Sequence, residues 1–219
     1  PILITVLAQT ANPRASSTIP MVQHLLNTYR IKRSSVHFAG LSMGAFTWAA
    51  MINAQIGAGN ETGMALAKSL VLLQGAGQGA TSGLMGSAVA YDATGYRAFG
   101  HWAKKYGGKF FGLEGTADGR NVWMPRDNIN DSVPGAGYFS YENYGGGAHC
   151  CWNTFYSPFV TDWQCVAPIT NANIAINGSH ANSMGTYKKG DNLFTWMFKQ
   201  GDTSLVGGVI NQPPQVFLE

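Results

Sequence analysis

The sequence predicts an α/β fold with a mostly parallel sheet and helices on both of its faces. Three observations carry this reading. Residues 2–7 and 69–73 are nearly unbroken apolar runs, as in strands covered on both faces. Residues 36–46 pass from a strand-favouring stretch through a glycine-serine turn into a helical pattern. Strand-like and helix-like segments then alternate along the chain, the pattern of βα units.

Taken in order, residues 2–7 form a first strand and 10–17 a polar loop. Thr18 stands where a helix N-cap would, with Pro20 in the first turn. Ile19, Val22, Leu25, Leu26 and Tyr29 follow at helical spacing, and Lys32 and Arg33 close that helix. Val36, His37 and Phe38 suit a second strand. Residues 45–56 are apolar almost all round, which predicts a buried helix, and 69–73 a buried strand. Residues 96–106 form a helix with Tyr96, Phe99, Ala103 and Tyr106 near one face, ended by Gly107-Gly108. Strands follow at 109–113 and 138–144. Residues 152–190 lack periodicity, and so long a loop in a compact domain is usually functional or a lid. Asp191 caps a last helix over 192–199. Gly207-Gly208 and Asn211-Gln212-Pro213-Pro214 have linker composition. The expected division is a domain over 1–208 and a linker over 209–219.

Hydrophobic residues make up 45% of the 219 and charged residues only 11%, against about a quarter in ordinary soluble domains. Gly, Ser, Thr and Asn must then supply the polar surface, an extracellular tendency. Net charge is +3, with no basic run longer than Lys104-Lys105 or Lys188-Lys189, so nothing argues for a nucleic-acid partner. No apolar run reaches about 18 residues, so membrane insertion is not expected. The chain starts at Pro1 without a signal peptide, as a processed or truncated N-terminus would. Cys150, Cys151 and Cys165 are the three cysteines, too few for a disulfide framework. Vicinal cysteines rarely bridge each other, so Cys165 is expected to pair with Cys150 or Cys151. A loop of about 14 residues closed this way contributes roughly 3 kcal/mol. No metal-ligand spacing is visible, and neither a metal nor another cofactor is expected.

Gly40-Leu41-Ser42-Met43-Gly44 fits G-x-S-x-G, in which a strained strand-to-helix turn lifts the serine hydroxyl clear of the sheet. Flanking glycines are expected to leave room where a Cβ would clash. The amides at the start of the next helix favour a developing negative charge. A plain Gly-Ser turn into a core helix is the alternative. Gly75-Ala76-Gly77-Gln78-Gly79-Ala80 is the rival motif, G-x-G-x-x-A behind a strand. It lacks a good following helix, and no acidic residue ends a strand about 20 positions on, as a dinucleotide site needs.

A serine hydroxyl needs a base, and the base an orienting acid. Ser42, Asp118 and His149 follow three successive predicted strands, and ligands gather at the carboxyl ends of strands in such sheets. Asp118 sits in Gly-Thr-Ala-Asp-Gly, which also suits a mere turn, and Glu114 is the competing acid. Three glycines before His149 imply a backbone shaped for close approach. His180 is the rival base. His37 lies in a strand and reads as structural, and His24 and His101 fall on helices.

Residues 36–45 and 115–118, with Gly145-Gly146-Gly147-Ala148-His149-Cys150-Cys151-Trp152, resemble the esterase-type α/β-hydrolases. The nearest groups are the polyhydroxybutyrate-depolymerase-like and feruloyl or acetylxylan esterase-like modules of secreted bacterial proteins. The resemblance spans about residues 1–200 and includes Leu193-Phe194-Thr195-Trp196 in the last helix. It implies Ser42 as nucleophile, His149 as base, Asp118 as orienting acid and the Met43 amide as an oxyanion donor. The implied substrate is a carboxylic ester, with polysaccharide-linked acyl groups as candidates, and the implied location is secreted or at the cell surface. The loop that supplies a second oxyanion donor in this superfamily precedes the strand that residues 2–7 resemble. The chain is therefore expected to lack its N-terminal strands, and residues 2–7 to pair with upstream sequence. Residues 211–216 resemble the lead into immunoglobulin-like or PKD-type repeats, so neighbouring domains are expected on both sides.

Trp152, Phe155, Tyr156, Phe159 and Trp163 cluster after His149. They suit core packing, or a rim that stacks on sugar rings or an aromatic acyl group, with Trp152 and Trp163 as substrate-binding candidates. Two other functions fit the same residues: a catalytically silent binding or adhesion module, and a serine peptidase. Turnover of a short p-nitrophenyl ester, or cleavage of a peptide, separates the three.

Overall fold

Four strands lie side by side in chain order, all parallel, in the computed structural model, which describes residues 15–53, 61–75, 97–120, 122–142, 144–157 and 192–201. They are β1 (His37–Leu41), β2 (Ser69–Leu73), β3 (Lys109–Gly115) and β4 (Gly137–Glu142). The helices are α1 (Ala15–Thr28), α2 (Met43–Asn53), α3 (Thr62–Leu66), α4 (Arg97–Tyr106), α5 (Trp123–Ser132), α6 (Trp152–Phe155) and α7 (Leu193–Lys199). This is an α/β fold with an all-parallel sheet. The predicted strand at 2–7, the long loop beyond 157 and the proposed linker lie outside the described residues.

Strand alternation sorts the core into two layers. Phe38, Leu70, Leu72, Phe110 and Phe139 point to one face, where they meet α1 through α5. Val71, Leu73, Phe111, Leu113 and Tyr138 point to the other, where Phe155 of α6 and Leu193, Trp196 and Met197 of α7 cover them. All five residues of β2 are buried, which is why every residue after Ser69 is apolar. β1, β2 and β3 pair in register from His37, Ser69 and Lys109 onward; β1 and β2 end level at Leu41 and Leu73, and β3 runs on past Leu113 to Gly115 beside β4.

Several local expectations are corrected. α1 begins at Ala15, so Thr18 is a buried helical residue and Pro20 lies inside the helix. Tyr29 follows the end of α1 and is 54% exposed, off the apolar face on which its spacing put it. The cap of α7 is Asn192, whose Oδ1 accepts the Thr195 N–H at 2.8 Å. α3 and α5 were not anticipated. Trp102, absent from the predicted face of α4, is fully buried and donates its indole N–H to the Ala67 carbonyl at 3.0 Å. Gly107, at φ 68, ends α4 as expected.

Candidate active site

Ser42 follows β1 directly and occupies φ 47, a left-handed conformation that residues with a Cβ adopt only at a cost. Backbone bonds hold it there. Its N–H donates to the Leu73 carbonyl at 2.9 Å, extending the β1–β2 ladder past the strand end. Its carbonyl accepts the Phe46 N–H at 3.1 Å, opening α2. A Cβ on Gly40 would lie 2.4 Å from the Gly44 carbonyl carbon, and one on Gly75 would lie 2.4 Å from the Ser42 carbonyl oxygen. Gly75, read in sequence as part of a rival nucleotide motif, thus makes room for the serine turn. Residues 76–80 of that motif lie outside the described residues. Gly44 corrects the expectation that both flanking glycines prevent clashes, because a Cβ there meets no described atom within 4 Å.

Asp118 and His149 reach Ser42 from the ends of β3 and β4. His149 Nε2 lies 2.9 Å from Ser42 Oγ, and Nδ1 lies 2.9 Å from Asp118 Oδ1. With the carboxylate as acceptor, Nδ1–H donates to Asp118 and Nε2 accepts the serine O–H. The Asp118 side chain is 2% exposed and the His149 side chain 28%, so the carboxylate is enclosed while the imidazole is partly open. Arg120 Nε donates to Asp118 Oδ1 at 3.4 Å, and Asp118 Oδ2 is buried and has no hydrogen-bond partner among the described residues.

The two loops interlock through glycines. Gly147, at φ 75, presents its carbonyl to the Ala117 N–H at 2.8 Å. A Cβ on Gly147 would lie 1.9 Å from Thr116 Oγ1, and one on Gly115 would lie 2.2 Å from Gly147 O. The glycines before His149 therefore allow its loop to lie directly on the loop that carries Asp118.

Glu114 takes a different part from Asp118. Its side chain is buried, and its Oε2 accepts the Val122 N–H at 2.7 Å, tying down the far end of the Asp118 loop. His37, at the opposite end of β1, has Nδ1 2.8 Å from Ser69 Oγ, and burial lowers its pKa to about 4. His180 and Trp163 lie outside the described residues.

Cys150 and Cys151 form a disulfide with each other, which corrects the expected pairing with Cys165. Cys151 adopts φ 68 at the N-cap of α6, and this left-handed turn folds the chain so that adjacent side chains meet. Cys165 lies outside the described residues. Trp152 opens α6 and stands edge-on to the His149 ring, with centroids 5.4 Å apart and planes at 85°. It also packs against the apolar layer under α6 and α7, and its buried indole nitrogen has no partner among the described residues. Phe155 is a core residue, 1% exposed, and burial raises the pKa of the partly buried Tyr156 hydroxyl. Met43 is the first residue of α2, so its N–H belongs to the first turn, which lacks intrahelical acceptors.

Among the described residues no group of three or more His, Cys, Asp or Glu could hold a metal ion, and no helix is long and apolar enough to cross a membrane. One residue of the site was missed by the sequence reading. Gln74 follows β2 and its Nε2 donates to the Ala148 carbonyl at 2.9 Å. Nothing in the local pattern around Gln74 distinguishes it. The chain matches no family model, no curated protein and no solved structure.

Proposed function

We propose that this chain is a serine hydrolase of the α/β-hydrolase type that cleaves carboxylic esters through an acyl-enzyme. The observation that carries the reading is the unbroken hydrogen-bond path from Ser42 through His149 to Asp118. Its members follow β1, β3 and β4 in the order Ser, Asp, His, the order of that fold type. The choice of an ester over an amide rests on the motif resemblance, as do an extracellular location and carbohydrate-linked acyl substrates.

The chemistry follows from the donor directions. Ser42 Oγ attacks the ester carbonyl carbon as its proton passes to His149 Nε2. Negative charge develops on the carbonyl oxygen, where the Met43 N–H and the start of α2 favour it. The carbon–oxygen bond to the alcohol then breaks, and His149 returns the proton to the departing alkoxide. Water attacks the acyl-serine, again giving a proton to Nε2. That proton goes back to Ser42 Oγ as the carboxylic acid leaves. Asp118 accepts the Nδ1–H throughout and stabilises the imidazolium without itself being protonated.

The expected result is turnover of p-nitrophenyl acetate, labelling of Ser42 by a fluorophosphonate probe, and loss of both in Ser42→Ala. His149→Ala should lower kcat by several orders of magnitude, because these groups act as a unit. Labelling that persists in Ser42→Ala, or no turnover of any short ester, would sink the reading.

A further inference from the structure

Gln74 combines three features that packing alone does not call for. Its side chain is an amide only 1% exposed. Its backbone occupies φ 51, a left-handed conformation that is unfavourable for a residue with a Cβ. Its Oε1 is buried and has no hydrogen-bond partner among the described residues. A leucine or methionine would fill the same volume without burying a carbonyl that lacks a partner among the described residues, an arrangement that disfavours the folded state. The feature that requires glutamine is the remaining half of the amide, whose Nε2 holds the Ala148 carbonyl at 2.9 Å.

The strained turn is what aims that amide. Leu73 points into the layer under α7, so an extended residue 74 would point to the opposite face of the sheet. The left-handed conformation turns the side chain along the carboxyl edge instead, towards the loop after β4. The backbone is pinned as well, since the Gln74 N–H donates to the Leu113 carbonyl at 2.8 Å. The loop that bears His149 is thereby held at two consecutive carbonyls. The Ala117 N–H holds Gly147 at 2.8 Å, and the Gln74 side chain holds Ala148. Only the second of these fastenings uses a side chain.

We propose that Gln74 is a positioning residue for His149, setting through the Ala148 carbonyl where Nε2 meets Ser42 Oγ. This rests on the reading of His149 as the base. Displacing a catalytic group by about 1 Å typically costs on the order of 100-fold in rate.

The test compares the full chain with Gln74→Met and Gln74→Glu. It reads kcat and KM on p-nitrophenyl acetate, the melting temperature, and the 15N shifts of the His149 imidazole. Gln74→Met fills the volume and removes the donor. It should melt cooperatively, lose roughly 10- to 100-fold in kcat with KM within about twofold, and shift the His149 ring nitrogens. In Gln74→Glu the introduced carboxyl can donate to Ala148 only while protonated. Its kcat should therefore fall with rising pH across a range where the wild type's does not. A merely structural role would lower the melting temperature and leave the pH profile unchanged. Wild-type kcat in Gln74→Met, or a wild-type pH profile in Gln74→Glu, overturns the proposal. If the wild type turns over no ester, the proposed function fails, and the imidazole shifts still decide this point. Unchanged His149 nitrogens in Gln74→Met overturn it, and displaced ones sustain it. If Gln74→Met does not fold, the pH profile of Gln74→Glu, or its imidazole shifts, decide alone.

Discussion

Gly40 and Gly44 stand two residues either side of Ser42, yet space treats them differently. A Cβ on Gly40 would press on the backbone of Gly44 and Ala45 at 2.4–2.6 Å, and backbone that opens a helix cannot yield. Gly40→Ala should cost about 1–3 kcal/mol. At this chain length that lowers the melting temperature by roughly 2–4 °C per kcal/mol, and it should displace Ser42 enough to suppress fluorophosphonate labelling. Gly44→Ala meets no described atom within 4 Å and replaces a helical glycine, so its melting temperature should not fall. Equal melting temperatures for the two variants, or the reverse order, would contradict this geometry. The motif was legible as a pattern, but which glycine the turn needs depends on a contact only the folded turn makes. The same limit explains the other residue-scale outcomes. Ser42, Asp118 and His149 could be picked out because each follows a recognisable strand in an informative order. Gln74 could not, since its partner Ala148 is 74 residues away and one glutamine carries no periodicity. The Cys150–Cys151 bond was set aside because adjacent cysteines bridge only with an unusual backbone, and the φ of 68 at Cys151 is not visible in composition.

Helices were legible where burial is apolar. α2 is apolar almost all round and α4 carries apolar positions at helical spacing, and both were anticipated within a few residues. α5 was not, because its buried residues are Pro125, Arg126, Ile129 and Asn130. Asn130 exchanges two hydrogen bonds with Gly137, at 2.9 and 3.0 Å, and the Arg126 guanidinium lies 5.5 Å from the Phe139 ring centroid. A helix held by such polar contacts leaves no amphipathic stripe to read. α7 shows the opposite case, a short helix with an apolar face and a specific cap. Its seven residues bury Leu193, Trp196 and Met197, and Trp196 meets Phe111 at 5.2 Å between ring centroids. So short a helix gains little from propensity and depends on that packing and on Asn192. Asn192→Ala should cost about 1 kcal/mol, lowering the melting temperature by roughly 2–4 °C, while Asn192→Asp should retain most of it. Thermal melts followed by circular dichroism check this, and an alanine variant that melts with the wild type would show the cap to be energetically idle.

At the scale of the molecule, the parallel strands give the sheet two unlike edges. Ser42, Gln74, Asp118 and His149 gather at the carboxyl edge. The amino edge holds two groups whose protonation is linked to folding. His37 starts β1 beside Ser69 at the start of β2, and burial lowers its pKa from 6.5 to about 4. Glu61 precedes α3 and accepts bonds from Lys105 at 2.7 Å and from Tyr106 at 2.5 Å, with His101 Nε2 at 3.1 Å. These partners, Lys105 foremost, lower its pKa from 4.5 to about 2. Both signs run the same way. In each case the unfolded chain binds a proton at a pH where the folded chain does not, so stability falls on acidification. For His37 the loss begins near pH 6.5 and is complete near pH 4. Part of its ring remains near solvent, so the loss should be about 1–3 kcal/mol. For Glu61 the loss begins near pH 4.5 and runs towards pH 2. Urea unfolding between pH 7 and pH 3 should therefore show two successive declines in stability. His37→Asn should flatten the upper decline and leave the lower one, and Glu61→Gln should do the reverse. An upper decline that survives intact in His37→Asn would mean that a different group takes up the proton, and that burying the imidazole against Ser69 is not what links acid to unfolding in this sheet.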